Sequence, residues 1–362
     1  MAQRDRTLTS RWAATFGMSA LLLAGCGSSS SGGADESSVA KAMQESLKAD
    51  LMTLHTAAVS LQAAAPTPSG RGWDATMDAT AIAAMKTAWI QARTTYERIE
   101  GAIAPIFPDA DIAIDERYDG FLAGIGPQGD ANLFDGQGVT GMHAIERVLY
   151  ADVIPARVVT FEMSLPGYKA AAFPATEAEA AEFKSGLAAQ LVTDTQTLLT
   201  NWDAAVKLDV SGAFQGLIGL MNEQQEKVNN AASGEEESRY SQRTMADLHA
   251  NLAGTKAIYT LFREWLQSKP SAGSVPAGKA VDGQIMGGFG SLEGTYATIT
   301  GDAIPAPPAT WSAEMPSAAD LQTPFGQLYQ AIHQAVDPKQ MDSVVQNMNE
   351  GAMLLGIPGF EG

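Results

Sequence analysis

The chain has four histidines, and one of them, His143, is followed three positions later by Glu146 in the stretch GMHAIERVLY. Residues three apart on an α-helix lie on one face, so an imidazole and a carboxylate at this spacing can reach one point. Glu and His at this spacing hold metal ions inside helical bundles. The spacing recurs upstream at Glu97 and Glu100 in YERIEG. The spacing is compatible with a metal site, but as an isolated motif it is more typical of a solvated helix face.

Glycines surround the start of the helix that would carry His143. Gly136 and Gly138 lie in the preceding loop, and Gly141 is the first residue of the predicted helix. Glycine allows the backbone to approach a neighbour closely, here near the positive N-terminal end of a helix. The alternative is that these glycines only form a turn.

Composition limits the classes of protein to consider. With 362 residues, of which 45% are hydrophobic, the chain can form one large domain or two modest ones with a sizeable core. Its 23 basic and 41 acidic residues give a net charge of −18. This charge argues against nucleic acid as a partner and favours cationic partners or simple solubility.

The N-terminus has the anatomy of an export signal. Three arginines precede the apolar run WAATFGMSALLLAG, which is short for a membrane span. The run ends in LLLAGC, which resembles the lipobox of bacterial lipoproteins, and Cys26 is the only cysteine of the chain. We expect residues 1–25 to be a signal peptide, Cys26 to be lipidated and residues 26–38 to form a flexible tether. The alternative for Cys26 is an unpaired buried thiol. The expected location is a bacterial membrane surface, facing the periplasm or the cell exterior.

The rest of the chain has helical periodicity. Val39, Met43 and Leu47 begin a series of apolar residues spaced for one face of an amphipathic helix, and similar series recur to the C-terminus. The predicted class is all-α, with two antiparallel helical bundles at residues 39–207 and 208–362. Gly- and Pro-rich stretches, including residues 269–290, are expected to be loops. The last helix is expected to begin at Asp337-Pro338.

Four blocks in order resemble one known family. They are WIQARTTYERIEG, DIAIDERYDG, GMHAIER and SGEEESRYSQRTMADLHANLAG, all between about residues 80 and 260. Together they resemble the imelysin-like family, whose signature is G-x-H-x-x-E, and particularly its EfeM/EfeO branch of iron-transport lipoproteins. The resemblance implies a double four-helix bundle that binds metal.

The resemblance also implies the residues of the site. Its metal cleft would include Glu97, Glu100, Asp115, His143, Glu146 and Asp247. Arg93, Arg239 and Tyr240 are expected just outside these ligands, where Arg239 and Tyr240 could orient supporting carboxylates, and no catalytic residue is assigned. Several carboxylates with one imidazole suit iron, with manganese and zinc as alternatives.

Some residues depart from the family pattern or have a structural alternative. Where the branch is expected to have His, Asp and Trp, this chain has Gln242, Thr244 and Ala246, which puts a ligand role of these positions in doubt. Glu97 could instead pair with Arg93 one turn back, with Glu100 facing water. Similarly, Arg239 and Tyr240 could merely pack. The other three histidines, His55, His249 and His333, are expected in the core or at the surface, without a ligand role.

Two classes of function compete. The first is a metal-binding lipoprotein that captures iron for uptake, with a membrane iron permease and a peroxidase-type partner implied by the resemblance. The second is an imelysin-type metallopeptidase. A zincin helix carries H-E-x-x-H or H-x-x-E-H, whereas Ala144 follows His143 and Arg147 follows Glu146. The sequence therefore favours binding over catalysis. Polysaccharide binding in an interdomain cleft is a third hypothesis.

Overall fold

The computed structural model describes residues 34–359, and the regular secondary structure of this range is helical. It contains thirteen α-helices and no β-strand, apart from one isolated bridge between Ala272 and Val275. The predicted all-α class is confirmed. The expected signal peptide, Cys26 and most of the expected tether lie outside the described residues. Among the described helices, none combines the length and apolar character needed to cross a membrane.

The helices differ widely in length. The bounds are α1 Glu36–Ala64, α2 Ala79–Ile106, α3 Pro108–Asp115, α4 Tyr118–Ile125, α5 Gly141–Leu149, α6 Ala156–Glu162, α7 Glu177–Glu182, α8 Ala188–Ala204, α9 Val210–Ala231, α10 Thr244–Gln267, α11 Gly278–Tyr296, α12 Pro324–Val336 and α13 Val344–Leu355. A π-helical turn joins α7 to α8, and a 3-10 turn precedes α12.

Local sequence explains where the first and last helices begin. At α1, the Asp35 side chain accepts a hydrogen bond from the backbone N–H of Ser38, and the Ser38 hydroxyl accepts one from the backbone of Asp35, which forms a capping box. At α13, Ser343 caps the backbone N–H of Gln346. The expected start at Asp337-Pro338 is wrong, because these residues lie in the connection before the Ser343 cap.

The segment expected to be a loop at residues 269–290 contains most of α11 instead. Glycines occupy the exposed face of this helix, at positions 283, 287, 290 and 294, while its other face buries apolar side chains. These buried residues are Val281, Ile285, Phe289 and Leu292. Glycine disfavours a helix by about 1 kcal/mol per residue, but burial of an apolar face stabilises it by more.

Helix α2 lies between helices from the two halves of the chain. It packs against α1, which precedes the boundary expected at residue 207, and against α9 and α10, which follow it. Close packing with α10 depends on Gly254, where a Cβ atom would lie only 2.0 Å from the carbonyl oxygen of Arg98. Because α10 approaches so closely, polar side chains of the two helices can meet in the interior.

Charged residues are buried along the middle of α2. Arg93, Glu97 and Glu100 are each at most 8% exposed, in a helix that also buries Trp89 and Tyr96. A charge removed from water is tolerated only when it is paired and hydrogen-bonded. Their partners come from four other parts of the chain, and together these groups form the candidate site.

Candidate metal centre

Three side chains from separate parts of the chain converge beside α2. Asp115 ends α3, His143 lies in the first turn of α5, and Glu237 lies in the turn between α9 and α10. The His143 Nε2 atom is 3.0 Å from Glu237 Oε1 and 3.5 Å from Asp115 Oδ1. The three ligand atoms lie within 4.8 Å of one another, so one metal ion could contact all of them. We call these residues the triad.

A glycine brings His143 to Asp115. Gly141 has a φ of +78°, and a Cβ atom there would lie 2.7 Å from the carbonyl oxygen of Ile114. The start of α5 therefore touches the end of α3, which carries Asp115. Trp89 of α2 fixes the same turn by donating a 2.9 Å hydrogen bond to the carbonyl oxygen of Met142. The expectation of close backbone approach at this turn agrees with the geometry.

Replacing Gly141 by alanine is expected to lower the free energy of unfolding by about 2–3 kcal/mol, because alanine is strained at positive φ and its Cβ would collide with α3. Chemical denaturation followed by circular dichroism measures the change. Gly124→Ala is the control, since Gly124 lies on α4 with open space around it. A Gly141→Ala variant as stable as the wild type would show that this contact does not hold the turn.

Glu146 bonds the imidazole of His143 directly, so the two side chains do not face a common vacant position where both could contact a metal. The Nδ1 atom of His143 is 3.1 Å from Glu146 Oε2. The other oxygen, Oε1, accepts hydrogen bonds from the backbone N–H and the hydroxyl of Ser241, at 2.8 and 2.7 Å. Such a carboxylate fixes the ring orientation and leaves the second nitrogen for a metal. The H-x-x-E spacing thus supplies one candidate ligand, His143, and the carboxylate that orients it.

Glu97 and Glu100 face an internal cation. Lys227 of α9 is 3% exposed, and its Nζ atom donates to Glu97 Oε2 at 3.0 Å and lies 3.7 Å from Glu100 Oε2. Asn251 of α10 donates a 3.0 Å hydrogen bond to the same Glu100 oxygen and accepts one of 2.9 Å from Lys227. These two carboxylates are therefore paired through Lys227 and lie outside the triad.

Arg93 is the second internal cation. Its guanidinium donates to Asp115 Oδ1 and to Glu237 Oε1, the latter at 3.2 Å. It also pairs with Glu97 one turn along α2, and its Nε atom lies 3.6 Å from Asp247 Oδ1. Arg93 therefore does pair with Glu97, as the structural alternative has it, but the pair is buried and Arg93 also bonds Asp115 and Glu237 of the triad.

The charge state of His143 follows from these contacts. Burial and the nearby Arg93 lower its pKa, but the hydrogen bonds to Glu146 and Glu237 outweigh them and raise the pKa of His143 to about 9. At neutral pH the ring is therefore a cation that donates Nδ1–H to Glu146 and Nε2–H to Glu237. A metal at Nε2 has to displace the second of these protons.

The two carboxylates of the triad differ in their affinity for protons. Burial raises the pKa of Asp115 well above its ordinary value, in spite of Arg93 and His143. Burial acts on Glu237 in the same direction, but Lys227 and the hydrogen bond from His143 hold the pKa of Glu237 well below its ordinary value. Glu237 is therefore the carboxylate that is already ionised for a cation at neutral pH.

Other residues expected at the site lie around it. Asp247 is buried and accepts a hydrogen bond from Ser238. Burial raises the pKa of Asp247 to about 7. Arg239 pairs with Asp119 at 2.8 Å, and the Tyr240 hydroxyl donates to Glu162. Both side chains thus orient carboxylates other than those of the triad.

Gln242 stands where the family branch is expected to have histidine, and its hydrogen bonds go to residues outside the triad. Gln242 donates to Glu236 and to the carbonyl oxygen of Arg239. Of the other histidines, His55 bonds Thr195, and His249 and His333 are exposed and contact tyrosine rings. Within residues 34–359, His143 is the histidine that lies in the cluster.

Two residues of the site were absent from the sequence expectation. Glu237 is the third of three consecutive glutamates in the block SGEEESRYS, whose resemblance to the family could have singled out the segment but not the residue. Lys227 lies in the polar stretch NEQQEKVNN, which reads as a solvated helix face. No periodicity marks either residue as buried.

Comparison with known proteins agrees with this architecture. Residues 53–299 match the family described as Imelysin, classed as peptidase family M75. The fold is similar to the crystal structure of an imelysin-like protein from Psychrobacter arcticum 273-4, with a TM-score of 0.57 and 13% sequence identity. That match covers 90% of this chain and 97% of the other. No curated protein matches the chain.

Proposed function

The chain belongs to the imelysin family, and from this premise we propose that it is a metal-binding protein that captures a cation outside the cytoplasm. The observation that carries the proposal is the triad, in which one imidazole and two carboxylates meet within 4.8 Å. Glu146 supports it by fixing Nδ1 of the imidazole, so that Nε2 is the nitrogen offered to a metal.

Iron is the cation we propose, with manganese and zinc as alternatives. Carboxylate oxygens favour hard cations, and an imidazole nitrogen adds affinity for first-row transition metals. The sequence blocks that resemble the EfeM/EfeO branch support iron in particular. The net charge of −18 favours the approach of any cation.

Export and lipid anchoring complete the proposal. The support for them is the apolar run that ends in LLLAGC, together with Cys26 as the only cysteine. A protein anchored by a lipid on Cys26 would bind iron outside the membrane and deliver it to a permease. The permease and a peroxidase-type partner remain proposals from the family resemblance.

A metallopeptidase is the second candidate, because the matched family carries a peptidase classification. Peptidases of the zincin type hold zinc with two histidines of one helix and use a neighbouring glutamate as general base. In the cluster that the structure describes, His143 is the one imidazole, and Glu146 bonds it directly. Cleavage of an unfolded polypeptide that requires metal and His143 would favour the peptidase; an inactive metal-loaded protein would favour binding.

The proposal predicts that metal affinity rises with pH. His143 has a pKa of about 9, so a metal at Nε2 displaces one proton at neutral pH. For this proton the apparent affinity rises about tenfold per pH unit below the pKa, which is about a hundredfold from pH 6 to pH 8. Loss of a proton from Asp115, whose pKa is raised by burial, adds to this rise. Calorimetric titration with Mn²⁺ at the two pH values, in buffers of different ionisation enthalpy, measures affinity and proton release together.

The same titration with ferrous and zinc ions ranks the metals. One site per chain with proton release is the result expected for the triad. Absence of binding by all three ions at pH 8 would contradict the proposed function. Binding without pH dependence would place the ion away from His143.

A further inference from the structure

The oxygen atoms that the triad offers to a metal already bind a cation of the protein. Asp115 Oδ1 and Glu237 Oε1 are the two oxygens that face His143 Nε2. The same two atoms accept hydrogen bonds from Arg93, one from Nη1 and the other from Nη2. The planar guanidinium thus bridges the two carboxylates, a geometry for which arginine is suited.

The Arg93 guanidinium is always charged and is buried. Arg93 is 1% exposed and lies in the middle of α2. A guanidinium stays protonated in proteins, so it cannot leave the carboxylates by losing a proton. A metal ion next to it would meet a positive charge at a few ångströms, and like charges repel more strongly in a protein interior than in water.

We propose that Arg93 is the resident counter-cation of the triad, which binds Asp115 and Glu237 in the metal-free protein and releases them when a metal binds. The proposal rests on the proposed function, because it describes how the same site exchanges one cation for another. Arg93 is then a positioning residue, and a metal binds only if its affinity for Asp115 and Glu237 exceeds that of the guanidinium.

The neighbours of Arg93 provide a place for the released guanidinium. Its Nε atom has no hydrogen-bond partner among the described residues, although Asp247 Oδ1 lies 3.6 Å away. Its Nη2 atom also pairs with Glu97. A small movement toward Asp247 and Glu97 would complete the Nε hydrogen bond while it frees the oxygens of the triad. The guanidinium would then remain paired in both states.

The exchange has a consequence for the class of ligand. Two carboxylates held by a bidentate guanidinium are released only to a cation that binds them more strongly. Multivalent transition-metal ions meet this condition through direct bonds to Nε2 and the carboxylates, whereas monovalent ions do not. The site should therefore not bind sodium or potassium at physiological concentrations.

The test is the metal affinity of Arg93→Gln, measured by calorimetric titration with Mn²⁺ on folded protein, together with the metal-free melting temperature. We expect the variant to bind Mn²⁺ at least about tenfold more tightly than the wild type, since a competing unit charge is removed. Its metal-free form should melt at a lower temperature, and added Mn²⁺ should restore more of that loss than it adds to the wild type.

Arg147→Gln is the matched control. Arg147 is also buried, at 3% exposed, and pairs with Glu162 through two nitrogens, at 3.0 to 3.3 Å, without contacting the triad. It should lose stability while it keeps the affinity of the wild type. If Arg93→Gln does not fold, Arg93→Lys serves, because lysine lacks the fork of two nitrogens through which Arg93 contacts Asp115 and Glu237; it should also bind Mn²⁺ more tightly than the wild type.

The outcomes separate this inference from the proposed function. Equal or weaker binding by the folded Arg93 variant, with a wild type that binds, would overturn the role of Arg93 alone. Binding by the variant but not by the wild type would support Arg93 as the counter-cation and contradict metal capture by the native protein. If neither binds, both proposals fail.

Discussion

Replacing Lys227 by methionine is expected to lower the free energy of unfolding by about 3–5 kcal/mol, the usual cost of removing one partner from a buried ion pair. The ammonium is 3% exposed and donates to Glu97 at 3.0 Å and to Asn251 at 2.9 Å. Methionine fills similar space but leaves Glu97 and Glu100 without this compensating charge. Denaturation by urea, followed by circular dichroism, measures the loss.

A surface lysine provides the control for this prediction. Lys256 of α10 pairs with Glu293 at 2.7 Å, but both side chains are about one third exposed or more. Lys256→Met should cost less than about 1 kcal/mol, because water screens the pair. Adding Glu100→Gln to Lys227→Met should recover part of the loss. A Lys227→Met variant within 1 kcal/mol of the wild type would show that the carboxylates are neutralised by other means.

The helices could be predicted from the sequence wherever an apolar face repeats every three or four residues. α1, α2, α9 and α10 follow that rule, and their apolar series are buried, although α2, α9 and α10 also bury polar residues that the rule does not predict. α11 was not predicted, because its many glycines are typical of a loop and hide the apolar face that it buries. Propensity is a local quantity, and the packing of α11 against α10 and α13 outweighs it.

The candidate site was predicted in part, for a physical reason. His143, Glu146 and Glu97 were expected at the site because helical spacing and the family resemblance both mark them. Glu237 lies in an irregular turn, where no period tells which of three adjacent glutamates points inward. Lys227 is buried only because acidic residues of α2 lie opposite it. Spacing within one helix cannot reveal a partner on another.

Geometry also changed the role of the residues that were predicted. Three-residue spacing placed His143 and Glu146 on one face, but at 3.1 Å the two side chains bond each other. Glu97 and Glu100 likewise share a face and meet Lys227. A shared face thus predicts proximity without telling a ligand from its support.

Loss of the triad is expected to abolish the stabilisation that metal confers. A ligand at a hundred times its dissociation constant adds about 2.7 kcal/mol to the free energy of unfolding, which raises the melting temperature by several degrees in a protein of this size. Glu237→Gln keeps the shape of the side chain but removes its charge, and His143→Ala removes the nitrogen ligand. Each should reduce metal affinity by about a hundredfold or more, so that the stabilisation by Mn²⁺ at that concentration falls from about 2.7 to about 0.4 kcal/mol or less.

Matched variants decide whether this loss belongs to the triad. Glu235→Gln makes the same chemical change two residues before Glu237, at a position outside the cluster, and should keep the full shift. His333→Ala, at an exposed histidine on α12, should keep it as well. Glu146→Ala should give an intermediate result, about 10- to 100-fold weaker binding, because it frees the imidazole without removing a ligand. Since a supporting carboxylate and a ligand differ in this graded way, equal shifts in Glu237→Gln, His143→Ala and the wild type would mean that the buried triad is a salt-bridge network, held by Arg93, without a metal.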